Sequence, residues 1–320
     1  MLRLLVVCSL LIVACGGGAK KVAAPVPINI EEAGLPFRVL RATTGREVEQ
    51  ETFFEELRGA QAICVGESHN NSHHHWAQLE ILKVIAQEGT EFAIGMEMFQ
   101  RPFQGVLDDY AEGKIDESSM LARTDWKKRW TYDWEYYAPM VRFTIASGGR
   151  VVALNVSTEL KNKWKASGLE GLNDKERAQL PELDMSDAQH RSWFRALMED
   201  MSEKHGSGEE KDADGGHALV GDDVEPPEDF IEKIYPVQVL WDETMADTAA
   251  KWLMAQSDRR LVILAGHGHC HESAIIRRMR RRGVVSVISV RPVVDMGKGE
   301  VADLLTVPVN SFLFVMKGSK

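Results

Sequence analysis

The sequence is poor in cysteine and has no long apolar run beyond its first fifteen residues. It contains 4 cysteines in 320 residues, which excludes a small scaffold stapled by many disulfides. After Cys15, no stretch reaches the roughly 20 consecutive apolar residues that a membrane-spanning helix requires. Hydrophobic residues still make up 44% of the chain. The sequence therefore predicts a real hydrophobic core in one large domain or two small ones.

Positive charge is scarce in residues 199–229, which hold twelve acidic residues and two lysines. This segment alone accounts for the net charge of −10, so the rest of the chain is close to neutral. Neither part suggests a nucleic-acid partner. The segment is also rich in glycine and serine, and we expect it to be a solvated, mobile insert.

The first fifteen residues have the pattern of a secretory signal. Arg3 precedes an apolar run that ends at Ala14, and Cys15 follows directly. The last five of these residues, LIVAC, resemble a bacterial lipobox, in which the signal is cleaved before a cysteine that is then acylated. We expect a signal peptide over residues 1–14, a lipidated Cys15 and a flexible tether over residues 15–35.

An ordinary signal peptide with a chance cysteine is the alternative interpretation of this terminus. In Gram-negative lipoproteins, a glycine after the acylated cysteine favours the outer membrane, and Gly16 occupies that position. We therefore expect a membrane-anchored lipoprotein at the outer membrane, facing the periplasm.

Short apolar runs alternate with helical patterns along the rest of the chain, and no internal repeat is present. Strands are predicted at 60–66, 91–98, 150–156, 260–266, 284–290 and 311–316. Helices are predicted at 72–88, from Pro102 onward, and at 136–147, 174–204, 230–256 (with a break at Pro236 as one option) and 271–282. This alternation predicts an α/β fold with a largely parallel central β-sheet flanked by helices. Insertions at about 108–137 and 157–229 should form a helical cap on one domain, residues 36–320.

Seven of the 10 histidines follow two of the predicted strands. His69 and His73–His75 come after the first strand, and His267, His269 and His271 come after the fourth. Because ligands bind at the carboxyl ends of strands in open α/β sheets, we expect these loops to meet if the two strands are neighbours. Glu97 lies near the end of the strand at 91–98 and would join them.

These residue types suit metal binding or acid–base chemistry. Histidine supplies neutral nitrogen ligands and titrates near neutral pH, and glutamate supplies oxygen ligands or a general base. A divalent metal ion is therefore one candidate cofactor, with His69, Glu97, His267 and His269 as ligands. If the protein is an enzyme, the candidate catalytic residues are Glu67, His69, Glu97 and His269.

Each candidate also has a purely structural alternative. Successive helical residues point in different directions, so at most one or two of His73–His75 should face the site and the others should lie on the surface. Glu97 could be a buried acid satisfied by backbone donors. His267 and His269 could simply pair with buried carboxylates.

Two further groups of side chains permit a structural or a functional interpretation. Trp126, Trp130 and Trp134 recur every fourth residue, which predicts one face of a helix, and core packing is favoured over a cofactor platform. The adjacent Asp242 and Glu243 could reach the site or could be ordinary exposed acids.

The arginine run at 277–282 is expected to complement the dipole at the end of its helix rather than bind a phosphate or a propionate. Cys64 and Cys270 each lie beside a predicted strand. They are predicted as two buried thiols, or as a disulfide in an oxidising compartment.

Five segments together resemble the ChaN-type haem-binding lipoproteins. They are GESH at 66–69, GMEMF at 95–99, VALN at 152–155, QVLWDETMA at 238–246 and AGHGH at 265–269. That family is similar to a wider group that includes Tiki proteases, TraB proteins and erythromycin esterases. The wider group shares two Gly-x-x-His motifs and a glutamate, which are Gly66 to His69, Gly266 to His269, and Glu97 in this sequence.

The resemblance implies a membrane-anchored protein that binds haem for iron uptake, at a homodimer interface and with an uptake receptor as a further partner. Tyrosinate or histidine would suit ferric haem, and the candidates are His69, Tyr132, Tyr136, Tyr137, His267 and His269. The catalytic members of the wider group imply an alternative, a metal-dependent hydrolase of the peptidase or esterase type.

Overall fold

The computed structural model describes residues 25–87, 91–206 and 228–318. An eight-stranded sheet runs through it in the order β2-β1-β8-β7-β3-β6-β4-β5. The strands from β8 to β5 are parallel neighbours, whereas β1 and β2 pair antiparallel at the β8 edge. The strands are β1 Phe37–Arg41, β2 Arg46–Val48, β3 Ala62–Glu67, β4 Phe92–Gln100, β5 Arg150–Asn155, β6 Arg260–Gly266, β7 Val287–Asp295 and β8 Phe312–Lys317.

Twelve α-helices in the described ranges connect and cover these strands. They are α1 Gln50–Gly59, α2 Ser72–Ala86, α3 Gln104–Ala111, α4 Glu117–Arg123, α5 Trp126–Arg129, α6 Ala138–Ala146, α7 Thr158–Ser167, α8 Asp174–Arg177, α9 Ala188–Gly206, α10 Glu228–Met254, α11 Arg277–Arg281 and α12 Glu300–Thr306. The predicted α/β class with a largely parallel central sheet is confirmed. The sequence pattern does not predict β1 and β2, because both are short and partly exposed.

Side chains of the central strands alternate between two packed faces. Val65 of β3 and Leu264 of β6 pack in the cluster that includes α2 and α6. Cys64 and Ile263 point the other way, into the cluster with α10 and α11. Burial on both faces explains the uninterrupted apolar runs, since neither face of these strands needs polar residues.

Residues of both insertions approach the carboxyl end of the sheet, where Trp130 contacts His69 and Trp193 contacts His271. The three tryptophans of the first insertion do not share a helix, however. Helix α5 ends at Arg129, Trp130 is extended, and Trp134 opens a short 3₁₀ turn. Trp126 and Trp134 still meet with ring centroids 4.9 Å apart, and both are buried, so the preference for core packing is confirmed for these two.

The second insertion and α10 differ from the predicted helices. Residues 174–204 are helical only in α8 and α9, and the chain between them is not helical. Helix α10 continues through Pro236 without a break. The proline removes one backbone donor, but the buried neighbours Tyr235 and Val239 hold this part of the helix in the core.

Residues 27–35, which precede β1, are docked on the domain, although a flexible tether was expected over residues 15–35. The Ile28 N–H donates to Ser72 Oγ at 3.0 Å, and Trp76 Nε1 donates to the Ala33 carbonyl at 2.6 Å. Ile30 is buried. We call residues 27–35 the strap, and any flexible tether must end before it.

Other predictions for the chain ends and the acidic insert lie outside the described residues. These are the signal peptide at 1–14, the lipidated Cys15, and residues 207–227 of the acidic segment. Across residues 25–87, 91–206 and 228–318, no helix is both long enough and apolar enough to cross a membrane.

Candidate functional site

Strand order brings the motif segments to one edge of the sheet. β3 pairs in parallel with β6, with Glu67 opposite Gly266, and β4 borders β6 on its other side. The residues that follow β3 and β6, together with Glu97 of β4, therefore meet at the carboxyl end of the sheet. The expected convergence of the segments around His69, Glu97 and His269 is present.

Glu67 is the centre of the first group of side chains. It is fully buried and accepts hydrogen bonds from His69 Nδ1 at 2.8 Å, the Tyr137 hydroxyl at 2.9 Å and Gln78 Nε2 at 2.7 Å. Burial alone would raise the pKa of Glu67, but His75 and His69 outweigh it and lower the pKa. The group is an ionised carboxylate held by several donors.

His269 is the centre of the second group. Its Nδ1 donates to Asp242 Oδ1 at 2.6 Å, and its Nε2 lies 3.4 Å from Glu97 Oε1. Burial alone would lower the pKa of His269, but Glu97 and Asp242 raise it to about 10. Glu97 Oε2 also accepts from the Gly266 N–H at 2.8 Å. His269 is therefore a cation between two carboxylates, which is one of the structural alternatives considered for it.

His267 differs from His269 in its electrostatic surroundings. Its ring packs edge-on against His74 at 5.0 Å. Burial, Arg291 and His74 all lower the pKa of His267 well below its usual value. His267 thus stays neutral two residues before a protonated histidine, because burial disfavours its charged form and Arg291 adds to that effect, with no carboxylate to offset them.

The motif side chains are sealed from solvent. His69, Glu97, His267 and His269 are 2%, 5%, 5% and 1% exposed. His73, His74 and His75 are buried as well, so the expectation that most of them lie on the surface is wrong. The N-terminus of α2 is covered by the strap and by the first insertion, and every direction around this helix turn faces protein.

The proposed set of metal ligands is not supported. Within the described ranges, no three His, Cys, Asp or Glu side chains are grouped to hold a metal ion. Glu97 and His269 are already engaged with each other, and His269 Nδ1 is engaged with Asp242 Oδ1 at 2.6 Å.

Residues 130–137, which we call the aromatic rim, border this sealed group. The His69 ring contacts Trp130 and Tyr132 at centroid distances of 4.7 and 4.9 Å. Tyr136 stacks on His75 at 5.3 Å. Tyr132 and Tyr136 are half-buried, whereas Tyr137 is fully buried. Burial and the adjacent Glu67 raise the pKa of Tyr137 well above its usual value.

A cavity of about 400 Å³ lies between the strap and the aromatic rim. Strap residues 27–31 line one side, Asp133, Glu135, Tyr136 and Pro139 line the other, and Ser72 completes the wall. Tyr136 is the one predicted cofactor-binding residue in this lining.

The sequence matches one protein family over residues 53–279, described as haem-binding uptake, Tiki superfamily, ChaN. The match spans more than two thirds of the chain. The chain belongs to this family. The inferred resemblance to ChaN-type proteins is thereby confirmed.

One solved structure shows that this ChaN-family protein has the same fold, and two others are more distantly similar. A structure described as cofacial haem binding to ChaN of Campylobacter jejuni has a TM-score of 0.64 at 17% identity, covering 88% of this chain and 97% of that one. An erythromycin esterase mutant in its open conformation has a TM-score of 0.43 at 13% identity, covering 89% and 84%. A succinoglycan biosynthesis protein has a TM-score of 0.42 at 12% identity, covering 76% and 68%. No curated protein sequence matches the chain.

Several side chains of the sealed site carry no clear signal in the sequence. His190 of α9 brings Nε2 to 3.0 Å from Asp242 Oδ2, and Gln78 holds Glu67. Both are single polar residues without a motif. Gln78 could have been found from its position one turn after His74 on a helix that enters the site.

Asp242 and Glu243 are both fully buried, so of the two alternatives for them the exposed one is wrong. Asp242 reaches the site through His269, and burial is outweighed by His269 and His190, which lower the pKa of Asp242. Glu243 instead accepts ion pairs from the arginine run, at 3.3 Å from Arg278, 2.8 Å from Arg281 and 2.7 Å from Arg282. Fixed carboxylate partners, rather than the helix dipole alone, explain this run.

Cys64 and Cys270 form a disulfide with a Cα–Cα distance of 5.3 Å, rather than two free thiols. Cys270 directly follows His269, and Cys64 lies three residues before Glu67. The bridge therefore ties the loop that carries His267, His269 and His271 to the strand that leads into the first motif.

Proposed function

We propose that this protein binds haem and serves in haem uptake. Membership of the haem-binding ChaN family over residues 53–279 is the observation that carries the proposal. The similar fold of ChaN from Campylobacter jejuni, whose description states cofacial haem binding, supports it.

Among the candidate ligands for haem iron, exposure favours the half-buried Tyr132 and Tyr136. His269 has both ring nitrogens engaged with carboxylates. The Tyr137 hydroxyl is engaged with Glu67 and is sealed, and its raised pKa opposes the tyrosinate form. His69 is also sealed and donates to Glu67. Tyr132 and Tyr136 remain as residues whose rings reach the surface.

Bound haem would supply a ferric iron that could accept an oxygen or nitrogen ligand from the protein. This chain would provide the phenol of Tyr132 or Tyr136 and an apolar surface for the porphyrin. It would also provide a rigid support behind both. His75 and His69 provide that support, since His75 stacks on Tyr136 and the tilted ring of His69 packs against Tyr132. The aromatic rim therefore fits a flat aromatic ligand.

We further propose that the protein is a lipoprotein, acylated at Cys15 and anchored to the outer membrane facing the periplasm. The sequence pattern of residues 11–15 supports this location. The Cys64–Cys270 disulfide fits an oxidising compartment. A homodimer that shares haem, and an uptake receptor, complete the proposal.

Hemin titration of the full chain, purified in detergent, tests the haem-binding proposal. We expect the Soret absorbance to saturate at a fixed stoichiometry of hemin to protein. The bound hemin should also sediment with the protein. Tyr136→Phe and Tyr132→Phe should each be compared with the wild type, and Tyr137→Phe is the matched control. A titration that never saturates, and that matches the one with acid-unfolded protein, would reject the proposal.

The metal-dependent hydrolase is not advanced as a second function. A general base needs a free lone pair within reach of its substrate. His269 is protonated between Asp242 and Glu97, and His69 and Glu97 are sealed. The arrangement of these side chains does not favour turnover at the motif residues.

A further inference from the structure

His74 accepts a hydrogen bond from the backbone of the first motif, residues 66–69. The Ser68 N–H donates to His74 Nδ1 at 2.9 Å. A backbone N–H can only donate, so Nδ1 must keep its lone pair and the one proton of the neutral ring must lie on Nε2. A second proton on the ring would occupy Nδ1. Protonation of His74 and its contact with Ser68 therefore exclude each other.

The groups around His74 disfavour a positive charge on its ring. Burial lowers the pKa of His74 well below its usual value, and three neighbours lower it further, which are His75, Arg291 of β7 and His73. The His267 ring packs edge-on against His74 at 5.0 Å, and its pKa is lowered in the same way. In the part of the chain that the structure describes, no carboxylate acts on His74 to offset these effects. The neutral form of His74 is therefore strongly favoured.

The position of His74 on its helix adds to this preference. It lies in the first turn of α2, which begins at Ser72. The N–H groups at a helix N-terminus carry partial positive charge, so a cation is unfavourable there. Asn71 caps this turn by accepting from the backbone N–H groups of His73 and His74. An imidazolium at position 74 would thus meet the positive end of a helix as well as cationic neighbours.

The contact with Ser68 fixes the backbone between two side chains of the sealed site. Glu67, on one side, is engaged with His69 Nδ1 and the Tyr137 hydroxyl. His69, on the other side, packs its ring against Tyr132 of the aromatic rim at 4.9 Å. Loss of the hydrogen bond at Ser68 would free the backbone that places both side chains. The support behind Tyr132 thus depends on the protonation state of His74.

We infer that His74 is a pH switch that holds the first motif closed at neutral pH by accepting from Ser68, and that releases this segment in acid when it is protonated. The switch acts with or without a ligand. Its effect on hemin rests on the proposed haem-binding function and deepens it. Because Tyr132 loses its interior support in acid, hemin should then bind more weakly.

The pH range of the switch follows from the direction of the pKa shift. The pKa of His74 is lowered below the ordinary 6.5 in the closed form. The closed form is therefore fully stabilised above about pH 6.5 and loses stability as pH falls below that value. The released form takes up one proton, so its population rises by up to about tenfold for each pH unit. Glu67 stays ionised at about pH 5, because its own pKa is lowered.

Hydrogen exchange of the full chain in detergent, read by mass spectrometry over residues 66–71, measures the release. We expect the protection factor, corrected for the intrinsic effect of pH on exchange, to fall by about 30-fold from about pH 7.5 to about pH 5. Peptides from β6 should keep their protection, since the sheet stays intact. A fall smaller than about tenfold in residues 66–71 would overturn the switch. An equal fall in β6 would also overturn it, because the whole domain would then be unfolding.

His74→Asn separates this hydrogen bond from the other effects of acid. The Oδ1 atom of asparagine can accept from the Ser68 N–H in place of Nδ1, but it does not titrate. The fall in protection should shrink to about threefold or less. His74→Gln also keeps an acceptor that does not titrate, and it is the substitute if circular dichroism shows that His74→Asn does not fold.

His73→Asn is the matched control on the same helix turn. Burial lowers the pKa of His73 less than that of His74, and the bond from Ser68 stays in place. This variant should retain the wild-type fall in protection within about threefold. Equal falls in the His73 and His74 variants would overturn the assignment of the switch to His74.

Hemin titrations at the same two pH values test the effect on the ligand. The wild type should bind hemin about tenfold or more weakly at the acid pH, and His74→Asn should lose most of this difference. Equal weakening in the two proteins would overturn the link to haem and leave the exchange result standing. If the wild type shows no saturable Soret band at neutral pH, the proposed function falls, while hydrogen exchange still decides the switch.

Discussion

The motif histidines and the rim tyrosines lie at the same end of the domain, yet they differ in exposure and in partners. His69 and His269 are sealed and donate to carboxylates. Tyr132 and Tyr136 are half-buried, and their rings pack against the buried rings of His69 and His75. The difference indicates that the motifs build a charged interior that supports the rim, and that ligand contact falls to residues outside the motifs.

Removing the charge of Asp242 should have the largest effect on stability. Asp242→Asn leaves His269, His190 and the nearby Arg278 without their shared carboxylate. Breaking a buried ion pair from one side costs about 3–5 kcal/mol. Urea unfolding measures the loss. Glu232→Gln, on the same helix in a surface ion pair with Arg191, is the control and should cost less than about 1 kcal/mol. Equal losses for both variants would contradict a charged interior at this site.

Loss of the disulfide should come next in magnitude. Removing a native disulfide typically costs about 2–4 kcal/mol, so Cys64→Ala/Cys270→Ala should lower the melting temperature clearly. Dithiothreitol should lower the melting temperature of the wild type toward that of the double variant and leave the variant unaffected. A wild type that is insensitive to reductant, with two titratable thiols after denaturation without reductant, would show that the bond is absent.

Because His269 is protonated, the stability that the buried charged side chains provide should depend on pH. Its folded pKa of about 10 lies above the ordinary 6.5. The stabilisation is therefore fully present below about pH 6.5 and is lost as pH rises through 10, at a rate of up to about 1.4 kcal/mol per pH unit. We expect ¹⁵N-histidine NMR to show one imidazolium that persists at pH 8, and urea unfolding to show falling stability from pH 8 to 10. An all-neutral histidine spectrum at pH 8 would refute the cation.

The smallest effects on stability should come from substitutions at two adjacent tyrosines. One substitution should affect mainly stability and the other mainly hemin binding. Tyr137→Phe removes a buried hydrogen bond to Glu67 and should cost about 1 kcal/mol of stability, with hemin binding retained. Tyr136→Phe should change stability by less than about 0.5 kcal/mol but should weaken hemin binding. If Tyr137→Phe weakens hemin binding and Tyr136→Phe does not, the iron ligand is the buried tyrosine rather than the half-buried one.

The fold and the meeting of the motifs follow from the sequence for a physical reason. Strands buried on both faces give uninterrupted apolar runs such as ICV at 63–65 and LVIL at 261–264. Parallel neighbours then place their following loops at one edge. These two rules predict the parallel sheet and the proximity of His69, Glu97 and His269. They do not predict which of these side chains are buried.

What the sequence could not provide depends on contacts between distant segments. The burial of His73–His75 requires knowing that the strap and the rim both cover α2. His190 is one histidine in an insertion without a strong pattern, and its approach to Asp242 depends on how α9 docks. The strap itself has no regular secondary structure, so only tertiary contacts distinguish it from a tether.

The Cys64–Cys270 bridge spans 206 positions of the sequence, and both cap insertions and the acidic segment lie inside that loop. A protease that nicks the backbone once anywhere within the loop would therefore leave two fragments that still travel as one molecule. Such a nicked protein would have its full mass on a non-reducing gel and would separate into two bands only when a thiol reagent is added.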